Sequence, residues 1–190
     1  MSIRRLILVV LIALSVSAYP AAQAKSIDGA IRVPVVITGG HDTAPRDRGR
    51  PVDLVAGALG VPPEVFREAF SHVHPAPAGM RPTQSEVRAN KDALLDALGR
   101  YGVTNDRLDE VSNYYRYVRS RGEMWPTTEA TAYALVKHGV VVAYVVTNGG
   151  SGYSSPPEIS VPSVPGATGT AHLTFSSDFD RNGSISSIKP

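Results

Sequence analysis

The sequence predicts an α+β fold: a small helical region of about four short helices, followed by a compact antiparallel β unit with a partial internal hairpin repeat. Two patterns carry that prediction. Over residues 51–122, apolar residues recur at three- and four-residue spacing between capping residues, which marks amphipathic helices. Over residues 127–190, β-branched residues alternate with small or polar ones, and Gly, Ser and Pro punctuate them as turns do between strands. The 190-residue chain has no cysteine, so packing alone must hold it.

The N-terminus reads as an export signal over residues 1–24. Met1–Arg5 is a basic start, Leu6–Ala18 is uncharged and apolar, and Ala22-Gln23-Ala24 is a small-x-small site before polar Lys25-Ser26. Cleavage is expected after Ala24, giving a secreted or periplasmic protein. The apolar run is too short for a membrane span, and no later run approaches the roughly 20 residues such a helix needs. The 166 remaining residues suffice for one domain or two small ones.

Charge follows from the same division. The whole chain has 19 Lys+Arg and 17 Asp+Glu; Arg4 and Arg5 fall in the signal, so the remainder balances at 17 against 17. An overall basic footprint for nucleic acid is therefore missing. The absence of cysteine also excludes thiol catalysis and thiolate zinc sites.

Residues 25–50 read as an extended lead-in and a charged loop. Ile31–Ile37 is extended, with Pro34 restricting it to an edge strand or non-strand. His41–Arg50, with Arg46, Arg48 and Arg50, reads as an exposed loop and a candidate contact surface. A first helix is predicted over Val52–Leu59 and stops at Gly60; Pro62-Pro63 opens a second, with Val65, Phe66, Ala69 and Phe70 on one face. His72–Pro82 reads as a Pro-rich loop. Thr83 and Glu86 form a capping box for a third helix carrying Val87, Leu94, Leu95 and Leu98. Thr104 or Asn105 caps a fourth, whose stripe Leu108, Val111, Tyr115 and Val118 runs to Gly122, with acids at its start and arginines at its end.

Strands are predicted at Thr131–Val136, Val140–Val146, Glu158–Val161, Thr170–Phe175 and Ser184–Ile188. Lys137-His138-Gly139 turns the first pair, and Asn182-Gly183 is a tight-hairpin signal for the last. Thr131-Ala132-Tyr133 and Thr170-Ala171-His172 precede turn glycines Gly139 and Gly183, and apolar residues follow each glycine at offsets of two and five. One hairpin pattern thus occurs twice. Two copies are too few for a solenoid, so the helical region is expected to supply the remaining cover.

Between the copies, Val146-Thr147-Asn148-Gly149-Gly150-Ser151-Gly152-Tyr153-Ser154-Ser155-Pro156-Pro157 resembles the Gly-Gly-x-Gly-Tyr β repeat of phage structural and bacterial exported or surface proteins. The likeness covers roughly a third of the chain and implies a structural building module with no transferable chemistry. The remainder resembles small exported bacterial proteins of unassigned role.

Candidate functional residues are few. Tyr114 and Tyr117, three apart, would share a helix face able to stack on sugars or anchor a partner; Tyr153 joins them as a ligand-contact candidate, on the Gly149–Tyr153 loop. The alternative is that the tyrosine face packs on the β region with Trp125 in the seam. Asp178, Asp180 and Asn182 with Gly183 match the start of a calcium loop, but Lys189 stands where its bidentate Glu belongs. His41-Asp42 and His72/His74 are the places for a secreted hydrolase's site or a metal, against a reading as exposed loop histidines. The helical turn at Gly60 has helix-turn-helix spacing, yet its second helix opens Pro62-Pro63-Glu64, the wrong chemistry for reading DNA. Gly149-Gly150-Ser151-Gly152 follows a strand without opening a helix, so it is no phosphate cradle. The leading expectation is an exported, non-enzymatic binding or structural module acting on an envelope protein or glycan. A hydrolase is the alternative, and calcium-dependent assembly a weaker one.

Overall fold

The computed structural model describes residues 29–74 and 82–190. The expected signal at 1–24 and the middle of the Pro-rich loop lie outside them. The fold is α+β, with two antiparallel sheets and four α-helices among the described residues. In chain order come β1 (Ile31–Pro34), β2 (Val36–Thr38), α1 (Val52–Leu59), α2 (Pro63–Ser71), α3 (Gln84–Leu98) and α4 (Asn105–Tyr114). Then follow β3 (Thr131–Lys137), β4 (Val140–Asn148), β5 (Glu158–Ser160), β6 (Thr168–Thr174) and β7 (Ser184–Lys189).

The helices start and stop where local chemistry directs. Gly60 closes α1 in the left-handed region, at φ 72°, its N–H reaching the Ala56 and Gly57 carbonyls. Pro63 sits in the first turn of α2, where its missing N–H costs nothing. At α3 the capping box forms: Glu86 N–H donates to Thr83 Oγ1 at 3.3 Å, and Thr83 N–H donates to Glu86 Oε2 at 2.6 Å. Thr104 Oγ1 accepts from Arg107 N–H to cap α4.

The fourth helix departs from expectation. It ends at Tyr114, with Tyr115 as its cap, and a separate 3-10 turn at Arg119–Arg121 precedes Gly122. Val118 is consequently exposed, off the apolar stripe. The apolar core of the helical region holds Leu54, Phe66, Leu98, Leu108, Val111, Tyr115 and Trp125. Full burial of side chains of this size contributes about 1.5–3 kcal/mol each.

The lead-in strands complete the sheets. One sheet runs β1-β3-β4 and the other β2-β5-β6-β7, so β1 and β2 each form an edge, one on either sheet. Pro34 ends β1 opposite Tyr133, an edge position that tolerates its missing donor. The sheets meet where β4 packs beside β7, and Ile185 N–H donates to the Gly149 carbonyl at 2.8 Å. Tyr153, Ile159, Ala171, Ile185 and Ile188 form the β core.

The two hairpins differ. His138 and Gly139 both take positive φ (51° and 78°), giving a two-residue turn whose twist suits β3 and β4. β6 and β7 are instead joined by residues 175–183, so Asn182-Gly183 is the end of a long connection and not its tight turn. Tertiary bonding to Asn182 overrides the local signal there.

Candidate functional site

The charged loop forms the most chemically distinctive surface. A 3-10 turn at Pro45–Asp47 folds Asp47 inward, where it is 7% exposed. Arg67 from α2 meets it with a two-pronged bond, Nε to Oδ1 and Nη2 to Oδ2, both 2.8 Å. Arg67 also reaches Glu64 at 2.9 Å and Asp53 at 3.5 Å. The Arg67 bond holds the Asp47 carboxyl below its ordinary value, against the opposing effect of burial, and the same bond raises Arg67.

This anchored carboxylate fixes the arginines around it. Arg48 takes the left-handed conformation, at φ 50°, and stays exposed. Arg50 lies over the Phe70 ring, 4.1 Å from its centre, and donates to the Asp47 carbonyl at 3.3 Å. Burial, then the neighbouring Arg48 charge, lowers Arg50 from its ordinary value. Arg46 is paired with Glu64 at 3.0 Å. Arg48 and Arg50 have no carboxylate within ion-pair distance among the described residues. They border a cavity of about 440 Å³ with Arg67 and Phe70 in its wall.

A second cavity, about 380 Å³, adjoins the first across Arg50, Phe70 and Val73. Val87, Leu94 and Leu108 give it an apolar floor, and Arg116 stands at its rim. Both volumes fall in the range of roughly 300–1,000 Å³ usual for small-molecule sites. Val87, expected to pack in the core with Leu94 and Leu98, is 51% exposed.

The tyrosine candidates are not brought together. Tyr114 stacks on Phe179, with ring centres 4.0 Å apart, so the connection from the β region covers it. Tyr117 lies beyond the end of α4, its hydroxyl bonded to the Gly49 carbonyl and its ring edge-on to Trp125. The shared helix face therefore does not exist, because α4 stops before Tyr117. Trp125 fills the seam, donating from Nε1 to the Gly152 carbonyl at 2.8 Å.

Tyr153 is a core residue at 4% exposure, its hydroxyl accepting from Ala130 N–H at 3.0 Å. The Gly150–Tyr153 backbone around it is buried as well, which corrects the expectation of a contact loop. The glycines serve close packing: a Cβ on Gly152 would stand 2.6 Å from the Pro126 carbonyl oxygen.

Asn182 is fully buried and does not face outward as a calcium ligand would. Its nitrogen donates to the Leu54 carbonyl at 2.6 Å and the Tyr115 hydroxyl at 2.8 Å; its oxygen accepts from Ser176 N–H at 3.0 Å. With that oxygen committed, Asp178 and Asp180 remain exposed on a turn closed by Asp180 N–H to Asp178 Oδ1. Among the described residues no group of three His, Cys, Asp or Glu side chains converges as a metal site would.

The histidines occupy separate places. His72 is exposed beside Glu68, and His74 is held through its backbone by Asn90. His41 stacks on Tyr153 at 5.1 Å, and its Nε2 is buried without a partner. Burial lowers its pKa, with Asp42 opposing. Ser155 Oγ accepts from Asp42 N–H, and Ser154 Oγ donates to the Asp42 carbonyl, so neither hydroxyl is spent on His41. No bond in this cluster activates a serine.

No family model matches the chain, and no curated protein or solved structure is significantly similar to it. The chemistry of the site itself therefore carries the functional reading. Sequence reasoning named the arginine-rich loop but missed Arg67, Phe70 and Arg116. The loop's charge density was a usable signal; the three distant partners had none.

Proposed function

We propose that this chain is an exported, non-enzymatic binding module that captures an anionic ligand of the cell envelope or extracellular space. The observation that carries the reading is the pair Arg48 and Arg50, set at a cavity without carboxylate partners. Arg50 is half-buried, and leaving its charge without an acid there is costly unless a ligand supplies the counter-charge; exposed Arg48 adds a second cation beside it. The rest of the site is rigid in the right way. Asp47 and Arg67 hold the loop from beneath, and Phe70 supports the flat face of Arg50. Arginine's fork suits carboxylate and phosphate oxygens.

Catalysis has weaker support: among the described residues, His41 Nε2 is the one buried side-chain nitrogen or oxygen without a hydrogen-bond partner, and no nucleophile there is bonded to it. Export rests on the N-terminal pattern alone. No helix among the described residues is long and apolar enough to cross a membrane.

The test is capture on immobilised protein. Envelope extracts are passed over the parent and over Arg48→Asn, a residue type that tolerates the left-handed backbone at this position. An anionic component retained by the parent and released by Arg48→Asn or by added salt is expected. Nothing retained, or retention indifferent to both, removes the reading.

A further inference from the structure

The two adjoining cavities differ in chemistry, and the difference specifies a ligand. The first is headed by Arg48 and Arg50. In the second, Arg116 and Ser112 stand among the lining residues, while the other polar groups of α3 are already occupied. Asn90 spends its amide on both backbone groups of His74, at 2.8 and 2.9 Å, and Lys91 is paired with Asp109 at 2.7 Å. Most of the remaining wall is apolar, with Val73, Val87, Leu94 and Leu108 as its aliphatic part. A sugar would leave its hydroxyls unpaired over such a floor, which is costly. An inorganic anion would leave the floor wet. Val87 is also the one residue of the apolar α3 face standing half in solvent, where the periodic pattern called for cover.

We infer that this groove takes a single-chain fatty carboxylate, with its headgroup on Arg48 and Arg50 and its tail over Val73, Val87, Leu94 and Leu108. The inference rests on the binding-module reading and names that module's ligand class. Arg50 Cζ lies over Phe70, and with Nη1 donated to the Asp47 carbonyl its remaining N–H groups are the ones free to meet a carboxylate. Each methylene laid on the floor is removed from water and adds to binding. Affinity should therefore climb with chain length until the floor is covered.

Calorimetric titration of the purified protein with acetate, decanoate and 1-decanol tests both halves of the groove. Decanoate is expected to bind at least about tenfold more tightly than acetate or decanol. Two variants locate it. Arg48→Asn should weaken decanoate about tenfold, and Val87→Asp should do the same by placing a hydrated charge on the apolar floor under the tail; both positions are exposed, so the fold should persist, as the melting temperature will show. Acetate binding as tightly as decanoate overturns the fatty-carboxylate inference while leaving anion capture standing. Decanol matching decanoate overturns it through the headgroup. Decanoate binding untouched by both variants places the ligand elsewhere and overturns it too. No heat with any probe overturns it as well, and the envelope capture experiment then decides separately whether the binding-module reading falls with it.

Discussion

Asp47 and Asn182 are both buried polar side chains that tie distant segments together, yet they do so with opposite chemistry. Asp47 is a charge matched by a charge, and its partner Arg67 stays 16% exposed at a cavity wall. Asn182 is neutral, fully buried, and bonded to α1, to the cap of α4 and to Ser176 of its own connection. The charged centre sits at a cavity open to solvent, and its strength follows pH. The neutral one sits where the helical and β regions close on each other. A carboxamide there satisfies a carbonyl, a hydroxyl and an N–H at once without burying net charge. Its neighbour Tyr115 is pushed up to about 12 by burial, so that hydroxyl stays protonated through the working pH range.

The comparison is broken most severely by Asn182→Ala. Three buried groups lose their partner, and each unsatisfied group costs about 1–3 kcal/mol, so a loss of about 4 kcal/mol in denaturant unfolding is expected. A loss under about 1 kcal/mol would show that water replaces the side chain and that the seam is not closed there.

Asp47→Asn comes next, at about 2 kcal/mol near neutral pH, because it removes the two-pronged charged bond and leaves Arg67 only Glu64 and Asp53. Its pH dependence has a definite sign. The folded Asp47 value is depressed, so the ion pair's contribution is present above the ordinary value of 3.8 and lost as pH falls through the folded one. Parent and Asp47→Asn stability should therefore converge in strong acid, whereas Asn182→Ala should keep its deficit. Parallel curves for Asp47→Asn would mean the bond is structural rather than ionic.

Gly57→Ala probes the seam by crowding. The added methyl would lie 2.7 Å from Asn182 Oδ1 and from Phe175 Cβ, and overpacking of this kind costs about 1–3 kcal/mol. Smallest is Thr83→Ala, which removes an exposed cap of α3 and should cost about 1 kcal/mol without touching either centre. If it instead altered decanoate binding, α3 would be coupled to the groove more tightly than its cap suggests.

Local features were legible in the sequence because short-range chemistry sets them. The Thr83 and Glu86 capping box, Gly60 as a stop, Pro63 in a first turn and the His138-Gly139 hairpin each depend on residues within four positions. Features that depend on far contacts were read differently. Helical periodicity ran on to Val118, but the chain leaves α4 at Tyr114, and Tyr117 then bonds the Gly49 carbonyl. Asn182-Gly183 has the composition of a tight turn, yet Asn182 is drawn in by Leu54, more than a hundred residues away. The candidate site was half visible: the arginine run at 46–50 showed, whereas Arg67 and Phe70 came from a helix read only for its apolar face.

Sequence alone thus determined the α+β class, the helix starts and stops, and the density of arginine in one loop, since propensity, capping and charge are properties of neighbouring residues. Tertiary structure decided which glycines and tyrosines are buried, which aspartate is buried in an ion pair, and which arginines border the cavity without an acid. Those outcomes depend on which surfaces meet, and a linear pattern holds no record of the distance between segments that only folding brings within hydrogen-bond reach.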